Sequence, residues 1–334
     1  MSSYALLLAP SANRVYAEAA GRIGAAELAV FSGAGVLSGP LRAIDATEIG
    51  GVGYVAFEAE LTDSDADHLA NLSAAHALFE RVGDLLRPVP MRPLRHFDDD
   101  LITIPKYAGK TNEQFTRLLL NVTVLASASA GRMLDGDLTV LDPLSGRGTT
   151  LNQALMYGYD AIGVELDGKD LDAYAAFLRT YLRRKRIKHA SDLHPVRRDR
   201  RLVARRFEAT LAGRQKVVML HADTLDARDV LRAGCADVVV TDAPYGVAHA
   251  SRTPAGLSRR PLDLVAAAAP VWADLLRAGG ALGMSWNTHV ASRADAAKAL
   301  APAGLEVVEG PGYDGLAHRV DQAIHRDVLV ARKA

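Results

Sequence analysis

Leu141-Asp142-Pro143-Leu144-Ser145-Gly146-Arg147-Gly148-Thr149-Thr150-Leu151 follows an apolar run and opens a stretch of helical periodicity. The acid closes a strand, the two glycines let the backbone pass close to a ligand, and the helix start offers free N–H groups. In an open α/β sheet the ligand crevice lies outside the carboxyl ends of the strands, where this turn would stand. A dinucleotide site would need a third glycine at 151, which is leucine. Gly109-Lys110-Thr111 has the ending of a phosphate-binding loop but lacks its upstream glycine and a preceding strand. A ligand-free strand-to-helix turn is the competing reading.

Outward from this turn the chain alternates. Residues 112–127, 149–157, 171–186 and 262–276 carry helical spacing, while 138–142, 161–165, 216–221, 236–241 and 281–286 read as strands. Residues 305–309 and 323–330 form a final antiparallel pair. The alternation predicts a mostly parallel sheet covered by helices on both faces. Glu165 closes the second strand, where a carboxylate can accept hydrogen bonds from ribose hydroxyls. Asp223 follows the third and could accept from an adenine amino group. Each acid alone could be a solvated strand end.

The fourth strand ends in Thr241-Asp242-Ala243-Pro244-Tyr245-Gly246. Together with Asp142-Pro143-Leu144-Ser145-Gly146-Arg147-Gly148-Thr149, this resembles the amino-methyltransferases with an Asp-Pro-Pro-Tyr motif. The resemblance is greatest to the THUMP-type tRNA guanosine-N2 methyltransferases and covers about residues 104–334. It takes in Gly109-Lys110-Thr111-Asn112, the helix through Asn121, and the stretch from His318-Arg319-Val320-Asp321 to Arg326-Asp327. It implies a Rossmann-like α/β S-adenosylmethionine-dependent methyltransferase domain acting on an exocyclic amine, with guanosine N2 of tRNA or another structured RNA as the expected acceptor. Asp242, Pro244 and Tyr245 become the catalytic candidates. Thr111, Asn121, Asp142, Gly146, Gly148, Thr149, Glu165 and Asp223 become the candidates for S-adenosyl-L-methionine.

The chemistry suits the motif. An exocyclic amine conjugated to a base ring has a delocalised lone pair, so a carboxylate and a carbonyl accepting its N–H bonds favour rehybridisation. Tyr245 offers a ring for a flipped base to stack on. Two positions depart from the family: Arg147 replaces a small polar residue, and Ala243 replaces proline. Alanine can adopt the extended backbone that Pro244 imposes on its predecessor, so Ala243→Pro is expected to preserve or raise activity if rigidity is all that the alanine costs. DNA or a protein amide remains an alternative acceptor, and a catalytically silent nucleic-acid-binding protein an alternative class.

The first 95 residues read as a small α+β, ferredoxin-like domain, a reduced counterpart of the THUMP region, with 96–334 as the methyltransferase domain. Its expected elements are a strand at 4–8, a helix at 13–28, a hairpin around Gly50-Gly51 and a long helix over 64–86. Three prolines in residues 87–93 suggest a stiff linker.

Lys and Arg total 39 and Asp and Glu also 39, so any nucleic-acid surface must be local. Residues 179–206 hold twelve Lys or Arg against two Asp. Arg183, Arg184, Lys185 and Arg186 lead that run and are the candidate RNA contacts, a solvated face being the alternative. The ten histidines lack metal-ligand spacing; His221, His249, His289 and His318 read as structural or crevice-lining, and no metal is expected. A lone cysteine, Cys235, excludes an intrachain disulfide. The start has no signal-peptide pattern, and no apolar run is long enough to span a bilayer, so a cytoplasmic location is expected.

Overall fold

The structure is a computed structural model describing residues 1–11, 13–107, 109–243, 251–253, 256–258 and 261–334, without the side chains of 251–253, 256–258 and 261. The first unit begins with β1 (Ser2–Leu8) and α1 (Arg14–Gly33). Asn13 caps that helix, accepting from the N–H groups of Val15 at 3.0 Å and Tyr16 at 3.2 Å. β2 (Arg42–Ile49) and β3 (Val52–Ala59) form the expected hairpin, its two-residue turn made by Gly50 and Gly51 with φ of 61° and 79°. α2 (Asp63–Leu69), β4 (Ala75–Val82) and β5 (Leu85–Val89) complete an antiparallel sheet of order β2-β3-β1-β4-β5. Its first four strands and two helices follow the split βαβ order of ferredoxin-like units.

The long helix expected over 64–86 is corrected. The helix stops at Leu69, and the remainder folds into β4 and part of β5. Buried Glu27 of α1 binds the Ser73 amide at 3.0 Å, which takes the chain out of helical hydrogen bonding. Beyond it, 75–82 fills the free side of β1, with Leu6 opposite Leu78. Local helix propensity is weak beside a strand edge that needs a partner. The proposed linker is corrected in part as well, because Arg87-Pro88-Val89 lie in β5, an edge strand where proline is tolerated.

The second sheet is built from β6 (Thr139–Asp142), β7 (Asp160–Glu165), β8 (His189–Arg198), β9 (Arg201–Leu211), β10 (Gln215–His221) and β11 (Ala236–Asp242). After a short hairpin of β12 (Ser251–Thr253) and β13 (Gly256–Ser258) come β14 (Leu276–Asn287), β15 (Leu305–Val307), β16 (His318–Arg319) and β17 (His325–Lys333). The order is β15-β17-β14-β11-β6-β7-β10-β9-β8, with β16 paired to β17. The central run from β14 to β10 is parallel, while β15, β17, β9 and β8 each meet a neighbour antiparallel. This is the Rossmann-like α/β class expected, and the C-terminal pair is antiparallel as read. Between β6 and β11 the strand order reverses, the place where such sheets open a crevice.

The helices are α3 (Asp100–Thr103), α4 (Glu113–Ala126), α5 (Thr149–Met156), α6 (Gly168–Arg184), α7 (Pro261–Leu275) and α8 (Arg293–Leu300). β11 is buried on both faces, which its unbroken valines require. Val238 and Val240 join the core containing Leu118 and Val122 of α4; Val239 joins the other, with Val265 and Trp272 of α7. The first of these cores also contains Leu6, Leu28 and Phe31, so it runs without a break into the N-terminal sheet. Cys235 is buried, and burial pushes its thiol up, which suits a packing role. Among the described residues no helix is long and apolar enough to cross a membrane.

Candidate active site

The turn after β6 is held from both sides. Asp142 is buried and accepts from the Leu144 N–H at 3.1 Å. Burial pushes its carboxyl up to about 7 against the hydrogen bonds that favour the charged form, and the nearby charge of Asp242 adds to the rise. Gly146 and Gly148 have φ of 50° and 79°, left-handed conformations that glycine adopts without strain. A side chain at Gly148 would also strike the ring of Tyr174, which α6 lays across the turn.

Glu165, at the end of β7, closes against this turn. One carboxylate oxygen accepts from the Gly146 N–H at 2.8 Å, the other from the Asp167 N–H at 2.8 Å. Burial raises its pKa and these backbone donors oppose the rise. Asp223 stands beyond β10 and caps the next 3-10 turn by accepting from Leu225 N–H at 3.0 Å. Thus Asp142, Gly146, Gly148, Thr149, Glu165 and Asp223 all lie along the carboxyl ends of three neighbouring parallel strands.

Arg147 and Thr149 acquire an explanation that sequence lacked. Arg147 pairs with Asp170 in the first turn of α6 at 2.8 Å and lies over the Tyr107 ring, 5.3 Å from its centroid. The Tyr107 hydroxyl shares a 2.6 Å hydrogen bond with Thr149. Tyr107 was not legible as a site residue, because the segment before α4 has no periodicity to place it.

Asp242 ends β11 across the switch point. Its carboxylate accepts from the Thr111 hydroxyl at 2.7 Å and from the Ser285 hydroxyl of β14, and Arg326 of β17 stands at 3.5 Å. Arg326 in turn lies over the Phe115 ring at 4.2 Å. Ser285 carried no sequence signal; Arg326 belonged to the stretch of resemblance but without a role. Thr111 therefore stands with Asp242. The neighbouring Ala243 is buried and donates its N–H to Ser285 O at 2.9 Å. Proline has no such N–H, so the expectation for Ala243→Pro is corrected: it would break a strand bond beside the site. Pro244, Tyr245 and His249 lie outside the described residues.

One other assignment is corrected. Asn121 is fully buried away from the crevice, donating to Glu27 at 2.7 Å and Asn71 O at 2.7 Å and accepting from Tyr157 at 2.8 Å. Its place on the inner face of α4 commits it to the junction with the N-terminal sheet. Arg183, Arg184, Lys185 and Arg186 lie at the C-terminal end of α6, about 25 Å of helix from the crevice end. Lys185 is clamped there by Asp98 at 2.8 Å and Asp100 at 2.7 Å, which raise its pKa. His318 is structural: it packs against Tyr16 and Phe115, and burial pushes it down to about 4.

No protein-family model matches the chain, and no curated protein sequence matches it. Among solved structures it is similar to TrmN from Thermus thermophilus, at 14% identity over 100% of both chains with a TM-score of 0.45. It is also similar to magnesium protoporphyrin IX methyltransferase from Synechocystis with bound SAM, at 14% identity over 71% of this chain and 89% of that one, TM-score 0.40. Fibrillarin from Aeropyrum pernix, with natively bound S-adenosyl-L-methionine, matches at 14% identity over 77% and 94%, TM-score 0.39. The fold assignment rests on the strand order described above.

Proposed function

We propose that the chain is an S-adenosylmethionine-dependent N-methyltransferase that acts on an exocyclic amine of RNA, with guanosine N2 of tRNA as the preferred acceptor. One observation carries this reading: the glycine turn with Glu165 and the carboxylate of Asp242 stand on either side of a single switch point. The residues suit an adenosine-bearing ligand. Glu165 is anchored at the turn and in this reading accepts from the ribose hydroxyls, Asp223 follows the next strand, and Gly146 leaves open space where a side chain would project.

Bound there, S-adenosylmethionine supplies an electrophilic methyl group. Asp242 accepts one N–H of the acceptor amine, and the carbonyl of Ala243 is the second acceptor in this scheme. Thr111, Ser285 and Arg326 fix the carboxylate so that little reorganisation accompanies the reaction. Tyr245 stacks the base. Residues 1–95 form an RNA-facing domain and 96–334 the catalytic one in this proposal.

The test is incubation with methyl-labelled S-adenosylmethionine and matched unmodified RNA, DNA and protein pools, followed by nucleoside analysis. Label in N2-methylguanosine is expected. Label confined to DNA or protein overturns the acceptor. Thermal protection by S-adenosylhomocysteine without any transfer overturns the enzyme reading in favour of a silent binding protein.

A further inference from the structure

The basic run 179–206 is not one surface. Its first half ends α6, at the amino edge of the sheet, while its second half returns to the crevice. β9 is antiparallel to β10, and β8 antiparallel to β9, so the turn joining β8 and β9 lies beyond the carboxyl end of β10. His221, the last residue of β10, pairs with Arg205, leaving β9 to run on through Arg201. Four residues of strand carry the tip roughly 13 Å past the strand ends that hold Glu165 and Asp223.

Two ion pairs fix the hairpin in that position. Arg205 binds Asp172 of α6 at 2.6 Å, and Arg198 binds Asp229 at 3.0 Å in the 3-10 turn that follows Asp223. Arg206 pairs with Glu208 at 2.8 Å. Arg197, Arg200 and Arg201 differ: all are exposed, and no acidic partner for them is found among the described residues. Among the described residues Arg197 reaches only the carbonyl of Arg200, at 3.4 Å. The turn itself is built from Asp199 and Arg200 at φ of 48° and 64°, a left-handed pair that glycine or asparagine would adopt with less strain. An arginine held there is exposed at the apex.

We infer that the β8–β9 hairpin tip, through Arg197, Arg200 and Arg201, is the surface that grips the phosphodiester backbone of the RNA acceptor beside the crevice. This rests on the RNA methyltransferase reading above and replaces the α6 terminus as the contact. Guanidinium groups carried exposed at the tip of the hairpin match phosphate oxygens, whereas the α6 group lies a helix length away and has Lys185 already clamped.

The experiment compares Arg197→Gln/Arg200→Asn/Arg201→Gln with Arg183→Gln/Arg184→Gln/Arg186→Asn in the full chain. Asparagine is used at positions 186 and 200 because it tolerates the left-handed backbone. Binding of an unmodified tRNA transcript is measured across a salt series, with a DNA duplex of equal length as comparison and the S-adenosylhomocysteine thermal shift as the folding control. The hairpin variant is expected to bind the transcript at least tenfold more weakly. Its plot of log affinity against log salt should flatten by roughly 2–3 in slope, about one per lost contact, with the thermal shift unchanged and the α6 variant like the parent. A parental slope in the hairpin variant, with the parent binding and methylating RNA, overturns this inference alone and leaves the tip as a charged guard on an edge strand. A parent that binds only the duplex, or neither, overturns the RNA reading and this inference with it.

Discussion

Asp242 concentrates the chemistry at the residue scale. Its carboxylate is held by Thr111, Ser285 and Arg326, groups from the loop before α4, from β14 and from β17. The two hydroxyls donate to different oxygens of Asp242, so Asp242→Asn keeps an acceptor for one of them and removes the charge. Turnover should fall on the order of a hundredfold, with S-adenosylhomocysteine affinity nearly unchanged; full activity in a labelled-methyl assay would refute the amine-acceptor role. Ala243→Pro tests the strand bond to Ser285. Losing it should cost about 1 kcal/mol, because a buried carbonyl is left without its donor, and urea denaturation reads that loss. Asp142 gives a pH signature. Its native pKa of about 7 exceeds the ordinary carboxyl value, so the folded state holds a proton that the unfolded chain releases. Its contribution is complete at low pH and is lost as pH rises from the ordinary carboxyl range through about 7. Asp142→Asn should therefore flatten the decline of Tm across that window; an unchanged Tm profile would show that Asp142 does not titrate there. Of these residues, Asp142 and Asp242 were legible as strand-end acids, but the set of groups holding Asp242 was not, since each comes from a distant segment.

At the scale of elements, the glycine turn and α6 depend on each other. Gly148 must be left-handed, and the Tyr174 ring occupies the space where a side chain would go. Gly148→Ala adds both backbone strain and overpacking, so stability should drop by about 3 kcal/mol, together with loss of S-adenosylhomocysteine binding. A denaturation midpoint equal to the parent's would mean that the turn relaxes freely. The elements around this turn were readable because valine runs and helical spacing mark buried strands and their covering helices. The β8–β9 hairpin was not: its turn, Asp199-Arg200, lacks glycine, and its strands are charged. β4 was hidden differently, behind an alanine-rich segment whose local preference is helical and whose pairing with β1 is decided by Glu27 catching Ser73.

For the whole molecule, the joint between the two sheets is polar at its centre and apolar around it. Glu27 of α1 gathers Ser73 and Asn121, and Asn121 also meets Asn71 and Tyr157. Burial raises the Glu27 pKa and these donors oppose the rise. Asn121→Ala would leave several buried polar groups unpaired, costing about 2–4 kcal/mol in global stability. The parent is expected to unfold in one transition by calorimetry, and the folded variant to bind S-adenosylhomocysteine like the parent. A variant of parental stability with weakened ligand binding would return Asn121 to the crevice. Sequence by itself determined the alternating α/β class, the glycine turn, and the acids that end three of its strands, because hydrophobic period and turn chemistry are local properties. Only the tertiary structure decided what Asn121 touches, why Arg147 is tolerated, which donors hold Asp242 and which half of the basic run faces the crevice. Those depend on strand order and on contacts between residues from 23 to 131 positions apart, and neither leaves a trace in local spacing.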